Sequence, residues 1–385
     1  MPASKLFEPL TIREVTLSNR VVASPMWQYA GERGYPTDWH LMHLGRMASG
    51  GTGLVMQEGT TIEKRGRGTV GDLGIWDDSY IEPLRRLVGI IKANGAVPGI
   101  QLMHPGRKAR QHRPWEGRRP LDHSSDLWDW HEWEVIGPSP IPVAEGFPIP
   151  REMTAADIRA VIGAWAAAAE RADAAGYEVI EIHGAHGYLL HAFMSEAANQ
   201  RRDAYGGSFA NRIRLTLEVT EAVRAVWPER KPLFMRLSCV DEVGWTMAET
   251  IKLTRELMAR GIDVIDCSSG GLGGSPVAGA RAYYGYQVPY SARLRRETGV
   301  LTAAVGLIVH ADQAEGIIAN GEADLVAVGR ELLYNPNWAA DAAQKLDALP
   351  NFDNMPERMG FWLRKRARAV EGFVPSTYEP ASTEA

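Results

Sequence analysis

Cysteine is almost missing from the sequence: Cys239 and Cys267 are the only two in 385 residues. Both sit in apolar runs that read as strands, which excludes a disulfide framework and fits buried, reduced thiols. Runs long enough to cross a membrane are missing as well, since none approaches the roughly 18 uninterrupted apolar residues a spanning helix needs. Met1 to Leu10 shows no charged-then-apolar leader pattern, so a cytoplasmic location is expected. Basic blocks are confined to the short run Arg364–Arg368 and the formal net charge is −5, which argues against nucleic-acid or anionic-membrane partners. No G-x-G-x-x-G follows any strand-like run, which weakens a doubly wound dinucleotide-binding sheet.

What is present is an ordinary globular composition, 45% apolar and 23% charged, arranged as short β-rich runs alternating with segments of helical period. That alternation is the pattern of repeated βα units. Eight runs are expected as strands: Val21–Met26, Gly53–Gly59, Val97–His104, Glu178–Gly184, Leu233–Cys239, Val264–Gly270, Leu301–Gly306 and Leu325–Arg330. Helical patterns lie around His43–Gly50, Ser79–Asn94, Ala155–Ala175, Phe209–Val226, Ala248–Arg260, Val288–Glu297 and Ala311–Asn320, with a last one after Asn335. Thr154 with Asp157, and Thr246 with Glu249, read as helix starts, and Gly176 and Gly261 as helix ends. The fold class is α/β, expected as a single (β/α)8 TIM barrel over 1–370, because such barrels commonly run from about 250 to more than 400 residues as one unit. Residues 1–20 are expected to form a hairpin closing the barrel floor, and 371–385 a flexible tail. Two segments exceed a minimal βα connection. Residues 105–153, after the third strand, are rich in Pro and hold Trp115, Trp128, Trp130 and Trp133, and residues 270–287 are Gly-rich; both read as lids or binding walls.

In a barrel of this kind chemistry sits on the carboxyl ends of the strands. Gly306, Gly329 and Arg330 end the seventh and eighth strands, where backbone N–H groups and a bidentate cation can hold phosphate. Arg236 on the fifth strand can face negative charge on a reduced flavin ring, and Gln101 on the third offers a donor and an acceptor to a pyrimidine-like edge. His183 and His186 admit two readings, a metal pair or two donors to one carbonyl or nitro oxygen. A metal would need further ligands at other strand ends, and the first strand ends in Ser24-Pro25-Met26-Trp27, so no metal is expected. Tyr188, two residues beyond His186, can serve as a proton donor. In the polar segment from Asn199 to Arg212, Ser208 and Asn211 either cap a helix or act directly.

These residues, in this order, resemble the Old Yellow Enzyme family of FMN-dependent ene-reductases, in particular its shorter bacterial branch that includes xenobiotic reductases. The stretches that carry the likeness include Ser24-Pro25-Met26, Gly99-Ile-Gln101-Leu-Met-His104-Pro-Gly106-Arg107-Lys108, Glu181-Ile-His183-Gly-Ala-His186-Gly-Tyr188, Asp266-Cys-Ser-Ser269-Gly270 and Asp324-Leu-Val-Ala-Val-Gly329-Arg330. The resemblance implies an FMN contacted by Ser24, Pro25, Met26, Gly59, Gln101, Arg236, Gly329 and Arg330, with Trp27 beside it and Gly306 at the phosphate end. Tyr29, His183, His186 and Tyr188 would line the substrate side. NADPH or NADH would reduce the flavin, and an activated alkene would then take hydride from flavin N5 at its β-carbon while Tyr188 protonates the α-carbon. A homo-oligomer, dimer or tetramer, is implied too, with Arg358 and Trp362 able to reach a neighbouring copy. One position departs from the branch: Trp27 stands where Cys is usual. Two rival readings are a flavin dehydrogenase working oxidatively on a carbonyl or amine, and a flavin-less binding barrel. The larger oxidative relatives usually carry an Fe–S cluster, which two scattered cysteines cannot ligate.

Overall fold

The computed structural model describes residues 4–121, 133–273 and 282–369. The expected tail at 371–385, Trp128 and Trp130 of the third connection, and 274–281 of the sixth lie outside the described residues. Eight parallel strands, Val21–Ala23, Leu54–Thr61, Val97–Met103, Val179–Gly184, Leu233–Ser238, Val264–Ser268, Leu301–Ala304 and Leu325–Val328, pair in chain order. The first pairs with both the second and the eighth, so the sheet closes into a barrel. The expected strands at 21–26, 301–306 and 325–330 are each shorter than the sequence implied. Beyond Ala23, Ala304 and Val328 the chain departs from the ladder to build the top of the barrel.

Helices cover the outside. The longest, Ala155–Ala175, turns Ile158, Val161, Trp165, Ala168 and Ala172 inward at helical spacing. Thr154 and Asp157 form the expected capping box at its start, and Gly176 ends it at a φ of 95°. The Thr246–Glu249 box starts the helix Met247–Met258 in the same way. The run expected as one helix over 209–226 is two, Phe209–Arg212 and Arg214–Val226. Ser208 caps the first by accepting from the Asn211 N–H, so the capping reading of that pair holds. Among the described residues no helix is long and apolar enough to cross a membrane.

Side chains alternate along each strand, so each strand feeds two separate layers. Val55, Ile100, Ile180, Ile182, Met235, Leu237 and Ile265 pack outward with the helices. Val22, Leu54, Val179, Phe234, Val264, Ala303 and Leu325 form a second cluster inside the barrel, joined from below by Ile12 and Leu17. Those two residues come from the antiparallel hairpin Leu10–Ile12 and Val15–Leu17, so the expected floor is present. Its turn holds Arg13 at a φ of 52°, anchored by Arg13 Nε donating to both oxygens of Asp263 at 2.8 Å. One step further up four of the inner ladders the chemistry changes: Val22 is followed by Ser24, Val179 by Glu181 and His183, Phe234 by Arg236 and Ser238, and Val264 by Asp266 and Ser268. The barrel interior is apolar below and polar above.

The long third connection is tied down at its far end. Trp133 is buried, donates from Nε1 to the Arg65 carbonyl at 3.0 Å and carries the Arg67 guanidinium over its ring at 4.0 Å. Its near end brings Trp115 edge-on to Tyr29, with ring centroids 5.5 Å apart.

Candidate active site at the carboxyl end of the barrel

Three adjoining cavities open at the top. One of about 220 Å³ is walled by Pro25, Gln101, Arg236, His183, His186 and Tyr188 together with Trp27 and Tyr29. A second, of about 330 Å³, shares Pro25, His186 and Arg236 with the first and runs out past Ser24 and Met26 to Gly306, Gly329 and Arg330. A third, of about 160 Å³, shares Trp27, Tyr29, His186 and Tyr188 and continues under the third connection to Lys108 and Arg118. The structure therefore gathers every residue singled out from the strand ends except Gly59 around one connected space. Gly59 lies beneath it. Its carbonyl accepts from Trp27 Nε1 at 2.9 Å, and a Cβ at position 59 would come within 2.4 Å of that nitrogen.

The loop after the fourth strand carries the histidines. His186 sits at a φ of 58° and Gly187 at 74°, and a side chain at 187 would press to 2.5 Å from the Gly271 carbonyl. The turn is held from several sides. The His186 N–H donates to Ser238 Oγ at 3.0 Å, the Gly187 N–H to His191 Nδ1 at 2.9 Å, and Lys108 Nζ to the carbonyls of His186, at 2.8 Å, and Gly271. His191 in turn is braced by Asp241, 3.2 Å from its Nε2.

This scaffold brings His183 Nε2 and His186 Nδ1 to 3.4 Å of each other. Burial holds both imidazoles well below their ordinary pKa, with Arg236 adding to the effect at each, so both are neutral. A neutral imidazole has one N–H, and its tautomer decides whether it can donate into the site. Ser268 Oγ lies 2.7 Å from His186 Nε2 and 3.4 Å from Gln287 Oε1. The 2.7 Å contact forms with either atom as donor, so the His186 tautomer follows the Ser268 hydroxyl: turned toward Nε2 it leaves the proton of His186 on Nδ1, facing His183, and turned toward Gln287 it accepts that proton at Nε2. His183 Nδ1 is buried and has no partner among the described residues, and with its proton on Nε2 the ring donates toward the same space as His186 Nδ1. Ser268 falls inside the stretch Asp266–Gly270 that carries the resemblance but has no role there; its contact with His186 joins residues 82 apart in sequence.

Opposite the histidines stands an aromatic wall. Tyr188 lies edge-on to His183 at 4.8 Å and stacks on Trp27 at 5.5 Å with 22° between planes, while Tyr29 meets Trp27 edge-on. Burial pushes the Tyr188 phenol well above its ordinary pKa, so it keeps its proton. Arg236 forms the floor. Its Nη1 donates to Ser24 Oγ at 3.0 Å and pairs with Asp266 at 3.4 Å, and its Nε is buried with no partner among the described residues. Gln101 donates from Nε2 to Glu181 at 2.7 Å, which leaves its carbonyl end for the cavity.

The phosphate reading of the glycines divides. At Gly329 an added Cβ would find its nearest atoms 3.7 and 3.9 Å away, so the position opens onto the second cavity. At Gly306 the need is conformational, with a φ of 116° and a Cβ that would meet Gln287 and Tyr286 at 3.0 Å. Arg358 and Trp362 lie on the helix Glu357–Ala369 and wall none of the three cavities of this chain.

Comparison with known proteins agrees with this geometry. A sequence model of the NADH:flavin oxidoreductase / NADH oxidase family matches residues 5–348. An NADPH dehydrogenase of Geobacillus sp. (strain WCH70) is 43% identical over 345 residues, 89% of this chain and 94% of its own. Among solved structures, morphinone reductase in complex with tetrahydroNAD superposes with a TM-score of 0.72 at 25% identity, over 89% of this chain and 91% of that one. A 2-naphthoyl-CoA reductase complex superposes with a TM-score of 0.78 at 24% identity over 89% of this chain; the chain spans only 52% of that larger protein, and this likeness shows the fold alone.

The fit between Trp27 and Gly59 has a measurable consequence. Gly59→Ala is expected to destabilise the protein by about 1–3 kcal/mol through overpacking against the indole. In a Trp27→Ala background the same change is expected to cost less than about 0.5 kcal/mol. Equal costs in both backgrounds, read by denaturant unfolding, would show that the indole is not what fills the space.

Proposed function

Because the chain belongs to the NADH:flavin oxidoreductase / NADH oxidase family, and is an Old Yellow Enzyme-like, FMN-dependent NAD(P)H oxidoreductase, we propose that it spends the reducing equivalents on the C=C bond of an α,β-unsaturated carbonyl or nitro compound. The observation that carries this reading is the convergence of His183 Nε2 and His186 Nδ1 over a cavity floored by Arg236 and roofed by Tyr188.

The residues present fit FMN. The unpartnered Arg236 Nε and the free carbonyl end of Gln101 offer a donor and an acceptor to the pyrimidine side of a flavin ring. Ser24, Pro25 and Met26 would line its edge, and the open backbone at Gly329, the turn at Gly306 and exposed Arg330 would hold the phosphate end. Trp27 and Gly59 would close the side nearest Gln101. Held by these residues, FMN would supply the hydride chemistry, with NADPH or NADH as the source of reducing equivalents.

The remaining steps belong to the chain. His183 and His186, neutral and each with one N–H toward the same point, bind the carbonyl or nitro oxygen of the substrate and polarise its double bond. A well-placed donor of this kind contributes on the order of 3 kcal/mol to a developing oxyanion. Burial keeps them neutral, and a neutral pair can sit at 3.4 Å where two imidazoliums would repel. Tyr188 keeps its proton until a carbanion-like α-carbon forms beside it, and then gives it up. Tyr29 and Trp27 hold the Tyr188 ring in place and keep water from that face.

The direct test is anaerobic. Enzyme reduced with one equivalent of NADPH and mixed with 2-cyclohexenone or maleimide is expected to regain its oxidised flavin spectrum; a flavin that stays reduced with every activated alkene would remove the reading. The clamp is tested separately with a phenol, whose oxygen imitates the substrate oxygen. His183→Ala or His186→Ala is expected to weaken phenol binding by about tenfold or more, the loss of roughly 1.4 kcal/mol for one donor. Phenol titrations unchanged in both variants would free the histidines of this role.

A further inference from the structure

One pair of ionisable groups inside the barrel has no part in the steps above. Glu181 and Asp266 are each 2% exposed and lie within hydrogen-bonding reach of one another, just below the cavity floor. Two ionised carboxylates only accept hydrogen bonds, so their approach requires a proton between them. The surroundings show the same need. Among the described residues Asp266 Oδ1 finds no donor, and Arg236 is the one cation of the described groups that face the pair. The others are the neutral Gln101 from the third strand, Ser24 from the first and neutral His183 from the fourth, with apolar Val179, Phe234 and Val264 beneath. Two full negative charges against one guanidinium would leave a net charge buried in an apolar barrel, a costly arrangement; one shared proton brings the cluster to neutrality.

We propose that Glu181 and Asp266 hold a single proton between them and act as positioning residues that set the charge beneath the flavin, through Arg236 and Gln101. Gln101 donates to Glu181, which fixes which end of its amide faces upward, and Asp266 pairs with Arg236. Reduction places negative charge on the flavin above Arg236, and that charge favours keeping the proton in the pair. Where the pair has already lost it, reduction takes one back from solvent. The balance is then two electrons and one hydrogen delivered as hydride from NAD(P)H, plus one solvent proton bound by the carboxyl pair, with no further bond broken. Burial, and after it the charge of Asp266, pushes Glu181 up to about 8, so the two regimes meet near that pH.

The inference rests on the flavin and not on the alkene, so a failure of alkene turnover leaves its test unaffected. The midpoint potential of the FMN-loaded protein, followed across the pH range on either side of about 8, is expected to fall with a slope of one proton per two electrons at lower pH. The slope is expected to double above the break. Glu181→Gln stays neutral at every pH and keeps a hydrogen-bond acceptor for Gln101, and it is expected to remove the steep segment. On the alkaline side, the reduced-minus-oxidised infrared difference spectrum of the wild-type protein is expected to gain a protonated-carboxyl band that the variant lacks. A single slope throughout in the wild type, or an unchanged break in Glu181→Gln, overturns the proposal. If the variant does not retain flavin, the wild-type slope and carboxyl band decide alone, and their absence overturns it equally.

Discussion

Arg236 occupies the point in the barrel where the interior changes from apolar to polar. Below it the hairpin residues Ile12 and Leu17 close an apolar layer of Val, Leu, Ala and Phe side chains, and above it Ser24, His183, Ser238 and Ser268 bring hydrogen-bonding groups inward. A buried guanidinium is tolerated only when its charge and its five donors find partners. Asp266 and Ser24 provide two of them, and the unpartnered Nε leaves room for a third that the protein itself does not supply. A ring that becomes negative on reduction is such a partner. The low-dielectric plug beneath strengthens the interaction, because field lines from Arg236 are not screened by water from below.

The layer above Arg236 is arranged by the same logic. Arg236 helps keep His183 and His186 uncharged, and uncharged histidines can stand close enough to share one oxygen. Ser268 decides where the His186 proton sits, and the strained turn through His186 and Gly187 is held by Ser238, His191 and Lys108. Site geometry of this kind needs rigid second contacts, and here they come from the fifth and sixth strands and from the segments that follow the third and fourth.

Much of this was legible in the sequence where the signal is local. Capping boxes at Thr154 and Thr246, the eight strand runs and the polar strand ends depend on near neighbours or on period alone, and the structure has them. The strands stop short of 24–26, 305–306 and 329–330 because Pro25 has no N–H for a ladder and Gly306 and Gly329 turn the chain out of it. The break at Ile213 was invisible because both halves share one helical pattern. The resemblance implied Gly59 only as a flavin contact, and the structure adds that its carbonyl accepts from Trp27. That pairing joins residues 32 apart in sequence, and no periodicity announces it. Trp27 is thus accommodated by a missing side chain at 59 and by a stack on Tyr188, which explains how a bulky indole fits where the related branch carries a small residue.

The division of labour between the flavin side and the Tyr188 side is the central claim, and isotope position tests it most directly. With NADPH deuterated at the transferred C4 hydrogen and 2-cyclohexenone as acceptor, the label is expected at the β-carbon of the product, while a reaction run in D₂O with unlabelled NADPH is expected to place deuterium at the α-carbon, on the opposite face. Nicotinamide label at the α-carbon, or both hydrogens on one face, would contradict it.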